Sequence, residues 1–564
     1  MNNLKKTNDL IQNSKNNFFH YLSKINNNNI SSINISRIYE KIFLFIIIII
    51  SIFSRFYKLS LIPYTINQDE AFGAYNAYSI YKFGKDSYGK KYPVYLTVWG
   101  HGMSILLSLL EIPFIYFLDL NTLSIRLPSA ICSIINLMII YFLIKKFYDI
   151  ETSLFITFFL SISPYHIMIS RWSMDCNIAP YFLTLGIFFF VKGEDNKNYF
   201  ILSSIFYGLS LYTYANVWLV LPFIILIQMI YFYYINKIKL NFIILLFCFI
   251  LFIFALPLML FLLVNKNFIK EISLPFMTIP KMYSMRDKEV SLLFSVFNLV
   301  KLIYIILNQT DGYLYNSINE YGIFYKNSLF FLFVGFVYCF NKIKEGFFNK
   351  KITLEFFLIL YTIGGIIIGI LINPNINRIN IIFIPLIIIC SLGIRFIFKK
   401  INSKLIIIPI IIYLIQFIFF EHYYFNTFPK KLKTFYPGID KAINFIINDL
   451  NFKNNNKYNL TLHIENDRNA IHAVILFYLK QDVNEYLNNV KYIENIKRSL
   501  YPMQYNNIYF YYNKINKFNY KNINRNNSIY LLKNINYKIK KEFDKYEYSN
   551  KKFNDFFVFY KYKL

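Results

Sequence analysis

Residues 42–53 read IFLFIIIIISIF, and about a dozen residues later the chain continues as TINQDEAF, residues 65–72. The first stretch is the centre of an apolar segment, 41–57, that as a helix is long enough to cross a bilayer. The second places two acids side by side, Asp69 and Glu70, just beyond that crossing. Ionisable groups at this depth are costly, so we treat the pair as a candidate functional site.

The composition of the whole chain indicates a polytopic membrane protein. Of its 564 residues, 56% are hydrophobic and 16% are charged, whereas soluble domains are about 45–50% apolar and about 25% charged. The formal net charge is +29. We assign it to lysines that flank membrane helices and coat a polar tail, and we expect no binding of nucleic acid. The five cysteines lie in or beside apolar segments and lack the spacing of metal ligands.

Lysine-rich loops give the predicted topology. Residues 1–40 are polar and Asn-rich and are expected to stay in the cytoplasm. A transmembrane domain follows at 41–421, with outer loops at 58–123 and 265–327. An odd number of crossings, about 11, places the remaining chain outside the cytoplasmic membrane. The predicted crossings are 41–57, 124–144, 152–169, 178–192, 199–215, 217–235, 241–264, 328–341, 353–371, 381–398 and 404–421.

Two further apolar segments are predicted not to cross. The segment 101–118 is interpreted as a membrane-associated or re-entrant helix, because Lys145 and Lys146 favour a cytoplasmic end for the segment 124–144. The alternative, in which 101–118 crosses, moves Asp175 to the other face. The segment 291–307 carries Lys301 and is expected to lie on the membrane surface.

The last part of the chain, 422–564, predicts a soluble α/β domain on the outer face. Its apolar runs shorten to strand length in YNLTLHI, NIYFYY, SIYLLK and FFVFYKY. Helical patterns lie before and between these runs, in DKAINFIIND and NAIHAVILFYLK. Pro429 and the YPG at 436–438 mark the linker.

Acids and bases collect in the predicted outer loops. They are Asp69, Glu70, His101, Arg126, Arg171, Asp175, Asp311 and Arg378. This mixture suits an anionic lipid-phosphate substrate with a carboxylate beside it. The alternative for each residue is ordinary solvation and ion pairing at headgroup depth.

Several segments of the chain resemble the GT-C glycosyltransferases. They are DEAFGAYNAYSIYKFGKDSYGKKYP (69–93), SIRLPSAI (124–131), ISRWSMDCNIAP (169–180), NQTDGYLYNSINEYG (308–322) and NPNINRINIIFIPL (373–386). The branch with protein O-mannosyltransferases and the aminoarabinose transferase of lipid A is the most similar. The resemblance covers about residues 40–400.

The resemblance implies transfer of a sugar from a polyprenyl phosphate to an acceptor protein, cell-wall polymer or glycolipid outside the cytoplasmic membrane. It implies that Asp69 is catalytic, that Glu70 completes the acidic pair, and that Asp175 helps to position the acceptor or a metal. Arg378 matches a basic position near the donor phosphate. His101 stands where some relatives have an acid-containing or Lys-Pro element, which leaves a divalent metal open. No other cofactor is required.

Two other classes of protein are alternatives. A transporter or flippase of lipid-linked saccharides predicts charged residues within the spans and internal repeats, and neither is clear in the sequence. A non-catalytic membrane scaffold with an outer binding domain does not explain why Asp69 and Asp175 are present.

Overall fold

The structure is a computed structural model. It describes residues 38–99, 101–239, 241–285, 290, 295–432, 435–450, 452, 459–464, 471–494, 500–512, 528–533 and 537–561. Most of the predicted cytoplasmic segment, residues 1–37, therefore lies outside the described residues.

Apolar helices form most of the first 431 residues. In chain order they are α1 (residues 38–56), α2 (Gln68–Phe83), α3 (Leu106–Leu118), α4 (Thr122–Lys145), α5 (Ile150–Ser161), α6 (Pro164–Ile169), α7 (Ala179–Lys192), α8 (Tyr199–Ser210), α9 (Val217–Tyr234), α10 (Phe242–Asn265), α11 (Ser295–Asn308), α12 (Leu329–Phe348), α13 (Leu354–Leu371), α14 (Phe383–Ile401), α15 (Ile407–Asn426) and α16 (Phe428–Lys431). Two short hairpins, β1–β2 (Leu96–Val98 and His101–Met103) and β3–β4 (Ile272–Leu274 and Met277–Ile279), lie between them.

Six helices of the described chain are long and apolar enough to cross a membrane. They are Thr122–Lys145, Val217–Tyr234, Phe242–Asn265, Leu354–Leu371, Asn380–Ile401 and Lys404–Asn426. Each predicted crossing overlaps one α-helix of the structure, except 152–169, which overlaps two, and the total number of crossings stays a prediction. The helices α3 and α11 have 13 and 14 residues. At 1.5 Å per residue each is about 20 Å long, shorter than the roughly 30 Å of hydrocarbon.

The predicted continuous segment 152–169 is two helices. Ser163 has an extended backbone, with φ −68° and ψ 133°, and Pro164 begins the second helix. A residue before proline is disfavoured in the helical region, whereas proline itself suits the first helical position. The break redirects the chain, so that the following residues, 170–175, enter the interior of the protein.

The predicted cytoplasmic loops lie together at one end of the bundle, where ion pairs join them. Three of these pairs are Lys146–Asp195 at 2.8 Å, Lys237–Glu194 at 2.6 Å and Arg395–Glu151 at 2.7 Å. They connect the loop after α4 with the loop after α7, the loop after α7 with the end of α9, and the end of α14 with the start of α5. The lysine pattern therefore grouped these loops correctly.

The chain beyond α16 forms an α/β domain built on a mixed sheet. Its helices are α17 (Ile439–Asn444), α18 (Ile471–Leu479), α19 (Val483–Asn489) and α20 (Tyr537–Lys545). Its strands are β5 (Asn459–Ile464), β6 (Val490–Glu494), β7 (Leu500–Tyr505), β8 (Ile508–Tyr512), β9 (Ser528–Lys533), β10 (Ser549–Phe553) and β11 (Phe556–Tyr560). Within the described residues the order is β10-β11-β9-β5-β8-β7-β6, with β5 parallel to β8 and β9.

The predicted fold class, a polytopic helical protein with a C-terminal α/β domain, is confirmed. The four strands expected from the sequence are β5, β8, β9 and β11. The strands β6, β7 and β10 were missed. In β10, SNKKF, most side chains are exposed at the edge of the sheet, so the strand carries no apolar alternation.

The α/β domain shares a hydrophobic core with the first predicted outer loop. Phe72 of α2 lies 5.2 Å from the ring of His472 in α18, edge to face. The Tyr75 hydroxyl donates a 3.0 Å hydrogen bond to the carbonyl of Gln481. Both helices contribute buried residues to one cluster with the sheet. The loop and the domain therefore lie on the same side of the helical bundle.

Impermeant maleimide labelling of intact cells checks this arrangement and its orientation. In a background without the native cysteines, we expect Lys91→Cys and Asn550→Cys to be modified, because both side chains are exposed at the outer end. Lys344→Cys, exposed in a predicted inner loop, should react only after permeabilisation. Modification of Lys344→Cys alone contradicts the orientation, and modification of only one of the other two contradicts the shared side.

Candidate functional site

The acidic pair lies at the N-terminus of α2. Asn67 caps this helix, because its side-chain oxygen accepts a 2.8 Å hydrogen bond from the amide of Asp69. The Glu70 carboxylate accepts a 3.0 Å bond from the amide of Asn67 and completes a capping box. The negative charges of both acids are also stabilised by the positive end of the helix dipole. The local sequence NQDE therefore fixes where the helix starts and where its two acids stand.

Glu70 is fully buried and bound by four N–H donors. Besides Asn67, it accepts bonds of 2.9 and 3.0 Å from Nε and Nη2 of Arg126, and a 2.8 Å bond from the amide of Ser173. The side chains of Glu70 and Arg126 are both fully excluded from solvent. This bidentate pair joins α2 to α4, and the Ser173 amide joins both to the segment between α6 and α7.

The guanidinium of Arg126 donates five hydrogen bonds within the protein. Two go to Glu70, and three go to backbone carbonyls. The carbonyl acceptors are Leu59 at 3.1 Å, Pro63 at 2.9 Å and Thr65 at 2.7 Å. A guanidinium has five N–H groups, so none is left for a substrate phosphate. The sequence placed Arg126 among substrate-binding residues, whereas its contacts suit a residue that holds α2 and the chain before it.

Arg171 is also buried behind the acids. It donates to the carbonyls of Ser54 at 2.8 Å, Tyr57 at 2.8 Å and Ile62 at 3.2 Å, at and just beyond the end of α1. Its guanidinium lies over the ring of Phe425 in α15, 4.9 Å from the centroid. These contacts provide donors for the carbonyls at the end of α1 and hold that end against α15.

Asp69 stands in a different environment from Glu70. Its side chain is half-buried, and its charge acts on two groups of other segments. Burial raises the pKa of the Cys176 thiol, and the charges of Asp175 and Asp69 raise it further. Burial likewise raises the pKa of Tyr315, with Asp311 and Asp69 contributing. Asp69 and Asp175 therefore both lie near Cys176, and Asp69 and Asp311 both lie near Tyr315.

Asp175 is buried at the start of a short 3₁₀ helix, Asp175–Ile178. Its carboxylate accepts a 2.8 Å bond from the amide of Cys176 and a 3.2 Å bond from the amide of Ser104. Ser104 directly follows β2, which carries His101. The His101 Nδ1 lies 2.8 Å from the hydroxyl oxygen of Ser284, so His101 contacts the segment after β4.

Asp311 ties the second predicted outer loop to the segment that carries Arg378. Its carboxylate accepts bonds of 2.7 Å from the Asn316 amide group and 2.9 Å from the backbone amide of Ile376. Arg378 lies two residues further on and is half-buried, with Nη1 3.1 Å from the carbonyl of Asn373. Asp311 therefore fixes the backbone of the segment that carries Arg378.

Sequence reasoning missed two polar side chains of this region. Glu111 of α3 is fully buried, accepts a hydrogen bond from the Ser173 hydroxyl, and has a pKa that burial raises well above its usual range. Asn380 donates to the carbonyl of Cys176. A lone acid within the apolar run LLSLLEIPFIYFL was a signal that could have identified Glu111.

The described residues contain no group of three or more His, Cys, Asp and Glu side chains that could hold a metal ion. The sequence left a divalent metal open. In the part of the chain that the structure covers, the protein does not supply a complete set of ligands of these types.

Comparison with known proteins concerns a segment of the sequence and the fold. Residues 110–261 match the profile of a family described as dolichyl-phosphate-mannose-protein mannosyltransferase. The fold is similar to ArnT from Cupriavidus metallidurans in the apo state, with 9% identity, a TM-score of 0.52 and coverage of 93% of this chain and 98% of ArnT. The structure of ArnT bound to undecaprenyl phosphate gives 10% identity, a TM-score of 0.50 and coverage of 92% and 97%. No curated protein matches the sequence.

The oligosaccharyltransferase of Archaeoglobus fulgidus in its apo form is also similar, with 12% identity and a TM-score of 0.43. That comparison covers 75% of this chain and 62% of the archaeal protein. The resemblance to GT-C glycosyltransferases that the sequence motifs indicated is therefore present in the fold as well.

The buried pair of Glu70 and Arg126 should be a main source of stability for the site. Arg126→Gln leaves the Glu70 charge buried without its bidentate partner, which should lower the free energy of unfolding by about 3–5 kcal/mol. Thermal unfolding of the purified protein in detergent measures the loss. Glu70→Gln combined with Arg126→Gln should lose less than the sum of the single changes, because no charge is then stranded.

Lys480→Gln is the matched control for this experiment, because the Lys480–Asp119 pair is exposed to solvent. It should change stability by no more than about 1 kcal/mol. Equal melting temperatures for Arg126→Gln and Lys480→Gln would contradict the role assigned to the buried pair.

Proposed function

We propose that this protein transfers a sugar, hexosyl or pentosyl, from a polyprenyl-phosphate donor to an acceptor on the outer face of the cytoplasmic membrane. The observation that carries the proposal is the contrast between two adjacent acids. Glu70 accepts four hydrogen bonds within the protein, whereas Asp69 is half-buried and lies near Tyr315 and Cys176, the residue after Asp175. The likeness of the fold to ArnT, which has been crystallised with undecaprenyl phosphate, supports a lipid-phosphate donor.

Asp69 is the general base in this proposal. An acceptor hydroxyl is a weak nucleophile, and a carboxylate that accepts its proton as the new bond forms lowers the barrier. The hydroxyl oxygen attacks the anomeric carbon, the bond to the phosphate oxygen breaks, and the polyprenyl phosphate leaves. A single displacement of this kind inverts the anomeric centre and needs no covalent enzyme intermediate.

The other residues divide into two groups. Asp175 orients the acceptor, since it is buried next to Cys176, near which Asp69 also lies, and its carboxylate is held by the amides of Ser104 and Cys176. Glu70 and Arg126 are positioning residues that hold the N-terminus of α2, and Arg171 holds the end of α1. Asp311 positions the segment of Arg378 through the amide of Ile376.

Arg378 and His101 are the candidates for contact with the donor phosphate. Arg378 lies on a turn between α13 and α14, and its side chain is half-buried. A guanidinium can bind two phosphate oxygens at once and stabilise the charge that develops on the leaving group. His101 lies on β2, which leads directly to the amide that binds Asp175.

The location follows from the proposed reaction and the predicted topology. The N-terminus lies in the cytoplasm, the protein crosses the cell membrane several times, and the α/β domain lies outside with the acids. The partners are the polyprenyl-phosphate sugar, the bilayer, and an acceptor protein, cell-wall polymer or glycolipid. Transport of a lipid-linked saccharide was the alternative; the likeness to the ArnT fold favours transfer.

Replacing Asp69 by Asn tests the general base. The change keeps the shape of the side chain and removes its basicity, so transfer should fall by roughly 10²–10⁴. The assay is sugar transfer in membranes from a strain that lacks the native protein, with a polyprenyl-phosphate sugar supplied. Asp119→Asn, an exposed acid of the same loop region, should transfer normally. Wild-type turnover in Asp69→Asn would remove Asp69 from the mechanism.

Substitutions of Arg378 test the phosphate contact. Lysine keeps the charge but cannot reproduce two parallel hydrogen bonds. We expect Arg378→Lys to weaken use of the donor, and Arg378→Ala to raise the barrier by about 3 kcal/mol. Transfer by the purified enzyme is measured as a function of the concentration of a short-chain polyprenyl-phosphate sugar. If both variants behave like Lys91→Ala, an exposed cation of the same face, Arg378 serves only as a membrane anchor.

A further inference from the structure

The hairpin β3–β4 follows α10 directly at the outer end of the bundle. Only six residues separate Asn265, the last residue of α10, from the first strand residue, Ile272. The Asn265 side chain also holds the returning chain, because it donates to the carbonyl of Pro280 at 3.0 Å and accepts from the amide of Met282 at 2.7 Å. The base of the hairpin is therefore fixed to the membrane-exit end of a predicted crossing.

One face of the hairpin packs on the protein. Ile279 and Met282 are buried with Val94 of the first predicted outer loop and with Phe261 and Val264 of α10. The backbone of Thr278 exchanges hydrogen bonds with that loop, donating to the carbonyl of Tyr92 at 3.2 Å and accepting from the amide of Val94 at 2.9 Å. The apolar side chains of this face are therefore buried within the protein, and the backbone of Thr278 is hydrogen-bonded there.

The other face presents large apolar side chains to the surroundings. Phe268 is 73% exposed and Phe276 is 71% exposed, with Leu274 exposed between them in the chain. Three exposed lysines flank these residues: Lys266, Lys270 and Lys281. Aromatic side chains next to lysines are the composition found at the boundary between hydrocarbon and headgroups.

This apolar face continues the surface of α10 that faces lipid. Few residues of α10 are buried within the protein. The buried ones are Ile244, Phe247, Leu258, Phe261 and Val264. Met259, Leu262 and Leu263 are exposed in its last two turns. Phe268 follows these residues in the chain, after the exposed Lys266 and Asn267. Exposed apolar side chains that follow a largely exposed apolar helix, with cations among them, match the interfacial layer of an anionic bilayer.

We propose that β3–β4 is a bilayer anchor: Phe268, Leu274 and Phe276 insert into the outer interfacial layer, and the lysines contact anionic headgroups. The packed face then ties the first predicted outer loop to the membrane surface. Besides the Thr278 contacts, Lys90 and Glu271 form a 2.7 Å ion pair, and His101 contacts Ser284. The β1–β2 hairpin, with the amide that binds Asp175, is thereby held at a fixed height above the bilayer.

Spin labelling tests the insertion without using activity. Phe268→Cys and Phe276→Cys, each in a background without the native cysteines, are labelled and reconstituted into vesicles of phosphatidylethanolamine and phosphatidylglycerol. Collision with oxygen, which concentrates in the bilayer, is compared with collision with a water-soluble nickel chelate. We expect both labels to favour oxygen, whereas a label on Asn550→Cys, exposed in β10, should favour the chelate.

Two results would overturn the anchor. Labels at 268 and 276 that collide with the chelate as readily as the label at 550 lie in water. Labels protected from both reagents are covered by protein, which indicates a macromolecular partner or a second copy instead of lipid. The substituted side chains are exposed, so these variants do not remove packed contacts.

The second part of the proposal, the tie to the loop, rests on the proposed function. Phe268→Asp with Phe276→Asp should expel the hairpin from the bilayer and lower sugar transfer at least threefold, whereas Phe268→Leu with Phe276→Leu should leave it unchanged. Normal transfer in the Asp variant, with insertion of the wild-type labels established, would overturn the tie but leave the anchor. If the wild-type protein transfers no sugar, the proposed function fails and the collision data still decide the anchor.

Discussion

The buried ion pair between Glu70 and Arg126 organises the candidate site. Two buried charges are tolerated only when hydrogen bonds satisfy their remaining polar atoms. Here the carboxylate accepts four bonds and the guanidinium donates five, so the pair is closed within the protein. Its acceptors and donors come from the chain after α1, from α2, from α4 and from Ser173. Segments far apart in the sequence are thus held at one place, and Asp69 takes its position from them.

The neighbouring acid gains its role from this arrangement. Consecutive residues on a helix point about 100° apart, so one member of the pair can be fully buried while the next is half-buried. The capping box fixes the first turn of α2, and the shared core with α18 fixes the rest of the helix. The α/β domain therefore supports the helix that carries Asp69.

Much of the fold could be predicted from the sequence because its signals are local. Apolar length marked the helices, and lysines grouped the loops at one end. The break at Ser163 was missed because hydropathy is insensitive to a single proline. The strands β6, β7 and β10 were missed because pairing, not apolar alternation, stabilises them. For the site, Asp69 and Asp175 were among the predicted residues and both lie near Cys176, and their roles stay predictions. The contacts of Arg126 and Arg171 depend on the path of the chain and could not be read from residue type.

These two arginines show why charge at a predicted membrane surface is an ambiguous signal. A guanidinium binds phosphate well, but it binds backbone carbonyls equally well wherever a helix ends and leaves its last carbonyls without partners. The end of α1 and the chain after it present such carbonyls at Ser54, Tyr57, Leu59 and Ile62. Arg126 and Arg171 bind them, so their cost of burial is offset by bonds that the backbone needs. Arg378 also makes such a contact, with the carbonyl of Asn373 two residues beyond α13, and its side chain stays half-buried beside the segment that Asp311 holds. The carbonyls that the fold brings within reach thus decide how many donors of an arginine are used within the protein.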